Sequence, residues 1–319
     1  MMLASLDIPF WHPDAISLGP LEIHPFGILV ATGVLLGAHV MGRWADKNGL
    51  EQRHVQGLVW YCVGIGFVCA HVFDVLAYQP QNLADDPLLL FKLWQGISSY
   101  GGFLGGVIGY LIYIWRYKVP VAPYADACLI AFVPGFTFGR MGCTVAHDHI
   151  GAHTDNFFLA TEYTPEVIRR YGFGSPPGGL QPGLHHNLGF YELLFMVVLC
   201  AVLFTADRWS NRPHGFLAAL MGTLYAPVRF VMEIFRDNPD ADPRYFGFTP
   251  AQWLSIVLFL VGVYVLIRLV RHGNRLPVAE LVAERGGQAG GKDAANDAGK
   301  GASQDKARQS SKGKKRKKK

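Results

Sequence analysis

The sequence predicts an all-α, polytopic membrane protein of seven transmembrane helices, and three observations lead there. Half of the 319 residues are apolar. Several apolar runs approach the ~20 residues that cross a bilayer as a helix. Lys and Arg gather in alternate connections between those runs, the asymmetry expected of loops kept in the cytoplasm. Backbone polar groups must be satisfied internally in lipid, so the runs are read as helices rather than strands.

The spans are placed at 26 to 44, 56 to 78, 98 to 116, 123 to 142, 187 to 206, 214 to 235 and 251 to 271. Arg43, Lys47 and Arg53 follow the first, Arg116 and Lys118 the third, Arg208 and Arg212 the fifth, and Arg268, Arg271 and Arg275 the seventh. This predicts an N-terminus outside and a C-terminus in the cytoplasm. Residues 1 to 25 lack the basic start of a cleavable signal, so the first span itself is expected to direct insertion. A membrane domain is expected over 1–275, with an external loop or cap at about 143–186. Residues 276–319 read as a disordered basic cytoplasmic tail, in which the surplus positive charge of the chain, +5 overall, is concentrated and which ends in Lys312-Gly-Lys-Lys-Arg-Lys-Lys-Lys319. The tail suits anionic lipid headgroups, and no nucleic acid is expected as a partner. The five cysteines form neither a CxxC pair nor a disulfide framework. Cys143 stands apart from the others because it follows Arg140 by three residues.

In the first span, Gly33 and Gly37 have a small-xxx-small spacing that lets helices approach closely. The second carries His71 and Asp74, three residues apart and so on one face, where ionisable groups in lipid are expected to border a polar cavity, with a purely structural pair as the alternative. The third opens with Tyr100, Gly101 and Gly102 and repeats glycine at Gly105 and Gly109, a pattern of tight helix packing or of close lipid approach. The fourth carries Asp126 and ends at Arg140, where an apolar wall meets the cluster His147, Asp148, His149, His153 and Asp155. The fifth begins with Tyr191 and Glu192. The sixth carries Tyr225, Arg229, Glu233 and Arg236 at steps of four, four and three, which share one face. Trp253 at the start of the seventh suits an interfacial anchor.

In the predicted orientation His71, Asp74, Tyr100, Arg140, Tyr191, Glu192, Arg229 and Glu233 all fall in the outer half of the bilayer; Asp126 does not. At 1.5 Å per residue, Arg229 lies roughly 9 Å below the outer end of its helix. Two deep arginines suit a phosphate, since guanidinium pairs bidentately with phosphate oxygens and keeps its charge when buried. At that depth the phosphate belongs to a phospholipid.

These residues carry a resemblance to the prolipoprotein diacylglyceryl transferase family. The matching segments are Ile23-His24 with Gly27, Gly101-Gly102, Asp126, Gly139-Arg140-Met-Gly142, Gly151, Tyr191-Glu192, Arg212-Pro-x-Gly215, Tyr225-Ala-Pro-Val-Arg229-Phe-Val-Met-Glu233-Ile-Phe-Arg236 and Gln252-Trp253-Leu-Ser255. The resemblance implies transfer of a diacylglyceryl group from phosphatidylglycerol to the lipobox cysteine thiol of bacterial prelipoproteins, at the outer leaflet of the inner membrane and with no cofactor. It implies that Arg140 and Arg229 hold the phosphate and stabilise the departing charge, that Glu233 orients Arg229, and that Gly101, Gly102, Gly142 and Gly151 line the lipid cavity. Tyr225, Phe26, Cys143 and Asp148 are expected to complete the substrate-binding surface, with no metal.

Four positions depart from the family pattern. Phe26 stands where tyrosine is usual, Tyr100 where histidine is, Cys143 where asparagine is and Asp148 where glutamate is. The missing histidine is the family's usual candidate for the base that activates the thiol, and a tyrosine near pKa ~10 is a poor base at neutral pH. His147 and His149 are therefore the expected substitutes, because histidine titrates in the useful range. Two other readings stay open: a metal-dependent lipid hydrolase or transferase using the His/Asp loop, and a non-catalytic relative that binds lipid or lipoprotein. Chelators would separate the first of these from the metal-free transferase, and absence of turnover would mark the second.

Overall fold

The structure, a computed structural model, describes residues 8–18, 21–93, 96–171, 180–209, 211–236, 244–273, 276 and 280–281. The basic tail and residues 172–179 of the long connection lie outside this set. A short hairpin, β1 (Ile16–Leu18) and β2 (Leu21–Ile23), leads into α1 (Pro25–Lys47), which starts on a proline whose missing N–H costs nothing at a helix N-terminus. Then come α2 (Gln52–Tyr78), the short α3 (Pro80–Asp85), a 3-10 turn over Pro87–Phe91, α4 (Ser99–Tyr117) and α5 (Val121–Ala146). Strands β3 (Ile150–His153) and β4 (Ala160–Tyr163), helix α6 (Pro165–Tyr171) and strand β5 (Gly183–Asn187) precede α7 (Leu188–Ala206). The chain ends in α8 (Phe216–Met232), extended by a 3-10 turn over Glu233–Phe235, and α9 (Pro250–His272).

Among the described residues six helices are long and apolar enough to cross a membrane: α1, α2, α5, α7, α8 with its 3-10 extension, and α9. Helix α4 covers the stretch expected for the third span, yet its serine, glycines and tyrosines dilute its apolar content and it is not one of the six. Those glycines form a packing seam. A Cβ at Gly101 or Gly109 would collide with the carbonyl of Cys69 or Tyr61 on α2, and one at Gly105 would lie 2.7 Å from the carbonyl of Ile65. Gly33 of α1 meets Gly135 of α5 in the same way, backbone against backbone.

Two expectations need correction. The chain is mostly helical but not all-α: the connection between α5 and α7 folds into a three-stranded antiparallel sheet of order β3-β5-β4. In β5, His185, His186 and Asn187 are all buried, so this segment lacks the alternation that marks a half-exposed strand and gave no strand signal in the sequence. The segment before β1 extends the sheet, with the Ile8 N–H donating to the Ala160 carbonyl at 3.0 Å. The second correction concerns His71 and Asp74, whose contacts among the described residues fit the structural pair rather than the polar cavity. His71 is fully buried, and its two ring nitrogens each lie 3.0 Å from a carbonyl, those of Gly96 and Leu89. Asp74 accepts from the Gln79 amide at 2.7 Å. The pair pins the α2–α4 connection onto α2.

At the end of the bundle away from the three-stranded sheet, Asp126 on α5 caps α8. Its Oδ2 accepts from the Gly215 N–H at 2.8 Å and its Oδ1 from the Ala218 N–H at 3.0 Å, placing negative charge at a helix N-terminus. Gly215 holds φ near +87, a backbone conformation that favours glycine and that turns the chain into α8. Arg212 links Asp126 to Asp207, which also accepts from the Trp44 indole at 2.8 Å. This knot fixes α1, α5, α7 and α8 together at one end, so their other ends are held in place where the site forms.

Candidate active site

Four elements bring the ionisable side chains of the sheet end together. The last turns of α5 present Arg140 and Cys143. The first turn of α7, capped by Asn187 Oδ1 accepting from the Phe190 N–H at 3.0 Å, presents Glu192. Helix α8 presents Tyr225 and Arg229, and its 3-10 extension presents Glu233. The start of α4 presents Tyr100.

Arg140 and Glu192 are both buried, and Nη2 of the arginine lies 2.9 Å from Oε1 of the glutamate. The Tyr225 hydroxyl donates to that same oxygen at 2.5 Å. The Arg140 guanidinium rests 4.7 Å over the Phe136 ring, and its Nη1 reaches Cys143 Sγ at 3.8 Å. Its Nε is buried with no hydrogen-bond partner among the described residues. One turn along α8 from Tyr225, Arg229 Nη1 lies 2.7 Å from Glu233 Oε2, close enough to pair though not aligned for a hydrogen bond. Arg229 Nη2 donates to the Tyr100 hydroxyl at 3.2 Å. Arg236 approaches Glu233 Oε1 at 3.5 Å. Glu192 and Tyr225 also lie within electrostatic reach of Arg229, so the two arginine pairs form one charged cluster.

Arg140 and Arg229 thus each face a carboxylate, and Arg236 approaches the second of these from the other side. A buried guanidinium N–H without an acceptor is costly, and an anion placed against it removes that cost. The unpartnered Arg140 Nε and the partly exposed Arg229 guanidinium therefore suit an anionic oxygen, such as that of a phosphodiester. The role of Glu192 as counter-charge to Arg140 was not assigned from sequence. The signal was present, since a glutamate inside an apolar span needs a partner, but nothing local to α7 indicates which arginine that is.

The remaining expected residues fall into two groups. Gly142 packs under Phe26, whose ring would lie 2.9 Å from an added Cβ. Gly151 lies between the Phe235 carbonyl and His186, and Gly101 is filled by α2 as described above. These three glycines make close contacts between elements around the cluster, whereas Gly102 has only ordinary contact with Ala70.

The loop histidines separate. His147 ends α5 with a left-handed φ of 51 and turns inward. Its Nδ1 accepts from the Tyr163 hydroxyl at 2.8 Å, its Nε2 donates to the Trp11 carbonyl at 3.3 Å, and it stacks on Phe10 at 4.4 Å. Burial pushes its pKa down to about 4. With both nitrogens engaged, the expectation that His147 takes a proton from substrate has no free lone pair to act through. His149 is half-exposed instead, with Nδ1 2.5 Å from Asp148 Oδ1. His153 and Asp155 form a separate, more exposed pair at 3.8 Å. Cys143, Asp148 and His149 each place one potential metal-ligand atom within 4.8 Å of the other two.

Comparison with known proteins gives a consistent result. The family model for prolipoprotein diacylglyceryl transferase matches residues 13–268. A protein of Acinetobacter baumannii is 30% identical over 268 residues, covering 82% of this chain and 93% of its own length. One from Nitratidesulfovibrio vulgaris is 29% identical over 272 residues, with coverage of 82% and 96%. A third, from Tolumonas auensis, is 26% identical over 270 residues, with coverage of 83% and 99%. All three carry the name phosphatidylglycerol–prolipoprotein diacylglyceryl transferase.

Proposed function

We infer the activity from that match: the chain belongs to the prolipoprotein diacylglyceryl transferase family, and it transfers the diacylglyceryl group of phosphatidylglycerol to a prolipoprotein. The observation that carries this to the present residues is the arginine cluster. Arg140 and Arg229 come from different helices of a multi-pass membrane protein, each is tethered by a carboxylate, and they keep guanidinium donors, among them the unpartnered Nε of Arg140, that a phosphodiester would engage.

In the proposed reaction the thiol of the prolipoprotein's lipobox cysteine loses its proton and attacks the glyceryl carbon bearing the phosphate. A sulfur–carbon thioether forms, the carbon–oxygen bond breaks, and the electron pair leaves on glycerol 1-phosphate. Arg140 and Arg229 bind the phosphate and stabilise the charge that gathers on the leaving oxygen, a role for preorganised donors in a water-poor site. Glu192 and Glu233 orient the two guanidinium groups. Tyr225 holds Glu192, and Tyr100 braces Arg229. Phe26 and Gly102 border the lipid, and Gly142 and Gly151 let the elements behind them pack closely. Of the two loop histidines, His149 is the more exposed, and its Nδ1 is held by Asp148.

The sheet end is proposed to face the outer leaflet of the bacterial inner membrane, with the N-terminus outside, the C-terminus cytoplasmic and α4 completing seven spans. The alternation of Lys and Arg supports this orientation, and the basic tail would then meet anionic headgroups. The test expresses the chain in cells depleted of their own transferase and follows a tagged prelipoprotein by mass spectrometry. A diacylglyceryl adduct on the lipobox cysteine is expected, and it should be absent with Arg229→Ala. Membrane-inserted protein that yields no adduct would refute the reading.

A further inference from the structure

We propose that Cys143, Asp148 and His149 form a three-ligand zinc site whose open fourth position binds the acceptor thiol as a thiolate. The inference rests on the transferase reading and supplies the step that reading leaves without a dedicated group. Tyr100 occupies the position of the usual base, and its hydroxyl is taken up by Arg229 at 3.2 Å. His147 has both ring nitrogens engaged.

The cluster is a product of local folding. The left-handed turn at His147 reverses the chain after α5, so Asp148 and His149 return against the last turn of that helix, where Cys143 projects. The three potential ligand atoms then lie within 4.8 Å of one another. A soft sulfur, an imidazole nitrogen and a carboxylate oxygen are the ligand types zinc takes, and three protein ligands with one open position is the arrangement of catalytic rather than structural zinc. Cys143 is buried while Asp148 and His149 are partly exposed, so the cluster spans the boundary between the protein interior and solvent. Arg140 Nη1 lies 3.8 Å from Cys143 Sγ, which puts the site directly beside the guanidinium proposed to hold the phosphate.

Zinc deprotonates a coordinated thiol outright. The acceptor thiol would release its proton to water on binding. Its sulfur lone pair then forms the bond to the glyceryl carbon, and the carbon–oxygen pair departs with glycerol 1-phosphate onto Arg140 and Arg229. No redox change and no further co-reactant is needed. Cys143 in place of asparagine thus acquires a role together with Tyr100 in place of histidine.

The test uses the full chain purified in detergent. Zinc is measured by elemental analysis, and cobalt(II) is substituted to look for a thiolate-to-cobalt charge-transfer band. Transfer of diacylglyceryl from phosphatidylglycerol vesicles to a lipobox peptide is followed before chelation, after it, and after zinc is restored. Stoichiometric zinc is expected, lost in both Cys143→Ser and His149→Gln, with the cobalt band absent in Cys143→Ser. Chelation should slow transfer by at least ~100-fold, the scale of a lost proton-transfer catalyst, and zinc should restore it. His149 is partly exposed and Cys143→Ser is nearly isosteric, so folding is retained and checked by thermal unfolding. A chain that holds no zinc and gives no cobalt–thiolate band overturns the proposal. Transfer that continues at full rate after the metal has been removed also overturns it, while leaving the transferase reading intact. Zinc bound by a chain that transfers nothing, in vitro or in depleted cells, overturns the thiol-activating role and the transferase reading together.

Discussion

Replacing Glu192 with Gln tests whether Arg140 works as an isolated cation or as half of a preorganised pair. The substitution keeps the side chain's shape and removes its charge. Oε1 of Glu192 receives both Arg140 Nη2 at 2.9 Å and the Tyr225 hydroxyl at 2.5 Å, and neither residue of the ion pair is exposed. At an effective dielectric of about 20, two unit charges ~3 Å apart interact by about 5–6 kcal/mol before desolvation is counted. Removing one member of such a buried pair typically costs ~3–5 kcal/mol, because the other charge is left uncompensated. Glu192→Gln should therefore lower the unfolding temperature of the lipid-free protein, and part of that loss should return when phosphatidylglycerol is added, since its phosphate neutralises the stranded guanidinium. The transfer rate should fall by ~100-fold or more, comparable to losing one oriented donor at a developing negative charge, while KM for the lipid stays flat or decreases. The assay is diacylglyceryl transfer to a lipobox peptide in mixed micelles, beside thermal unfolding with and without lipid. Transfer within threefold of wild type, in a preparation where Arg140→Ala is inactive, would show that Arg140 needs no carboxylate to orient it.

Arg140→Lys should lose most of the transfer activity, because an ammonium is a compact point charge that cannot reproduce the planar fork needed to hold Glu192 and engage phosphate bidentately at once; steady-state kinetics would show it mainly in kcat. His147 gives a pH signature outside the membrane. Its folded pKa of about 4 lies below the ordinary histidine value, so the unfolded chain takes up a proton that the folded chain refuses. Stability of the sheet end should be full above pH ~6.5 and should fall as the pH drops from there towards ~4. Hydrogen exchange in β3–β5 should report this dependence, and His147→Phe should flatten it. Asp126→Asn should weaken the opposite end of the bundle, where Asp126 accepts two backbone N–H groups and Arg212. A loss of ~3 kcal/mol in stability, with KM for lipid unchanged, would mark that knot as structural rather than catalytic.

Much of the membrane portion was legible because the bilayer constrains it so strongly. Span length, apolar content and the placement of Lys and Arg are one-dimensional properties, and they located all the long helices within a few residues of their observed ends. The glycine seams were legible for a similar reason: Gly33 and Gly37, and Gly101, Gly105 and Gly109, repeat at the spacing that lines one helical face. The sheet was not legible. Its strands are four or five residues long in the connection between α5 and α7, and His185, His186 and Asn187 in β5 are buried in succession. Polar residues that are buried by pairing with neighbours leave no hydrophobic period to read.

The same distinction governs the site. Arg229 and Glu233 lie four apart on one helical path, so their pairing follows from periodicity alone. The Arg140–Glu192 pair joins α5 to α7 across 52 positions of sequence, and it exists only because the intervening sheet brings the two helix ends together. His147 shows the reverse situation. Chemically it was as good a candidate base as His149, two residues away, and the sequence carries no mark separating them. The separation comes from the left-handed turn at the end of α5, which sends one imidazole into the aromatic packing of Phe10 and Tyr163 and returns the other to Cys143. A single backbone conformation thus decides which histidine is structural and which can reach a substrate. Changing that turn should therefore alter the chemistry of the site without touching any residue in it. His147→Gly keeps the turn and removes the ring, so it should loosen the cap yet leave the Cys143–Asp148–His149 cluster and its cobalt spectrum in place. Loss of that spectrum in a folded His147→Gly protein would show that the imidazole's packing, rather than the turn, assembles the cluster.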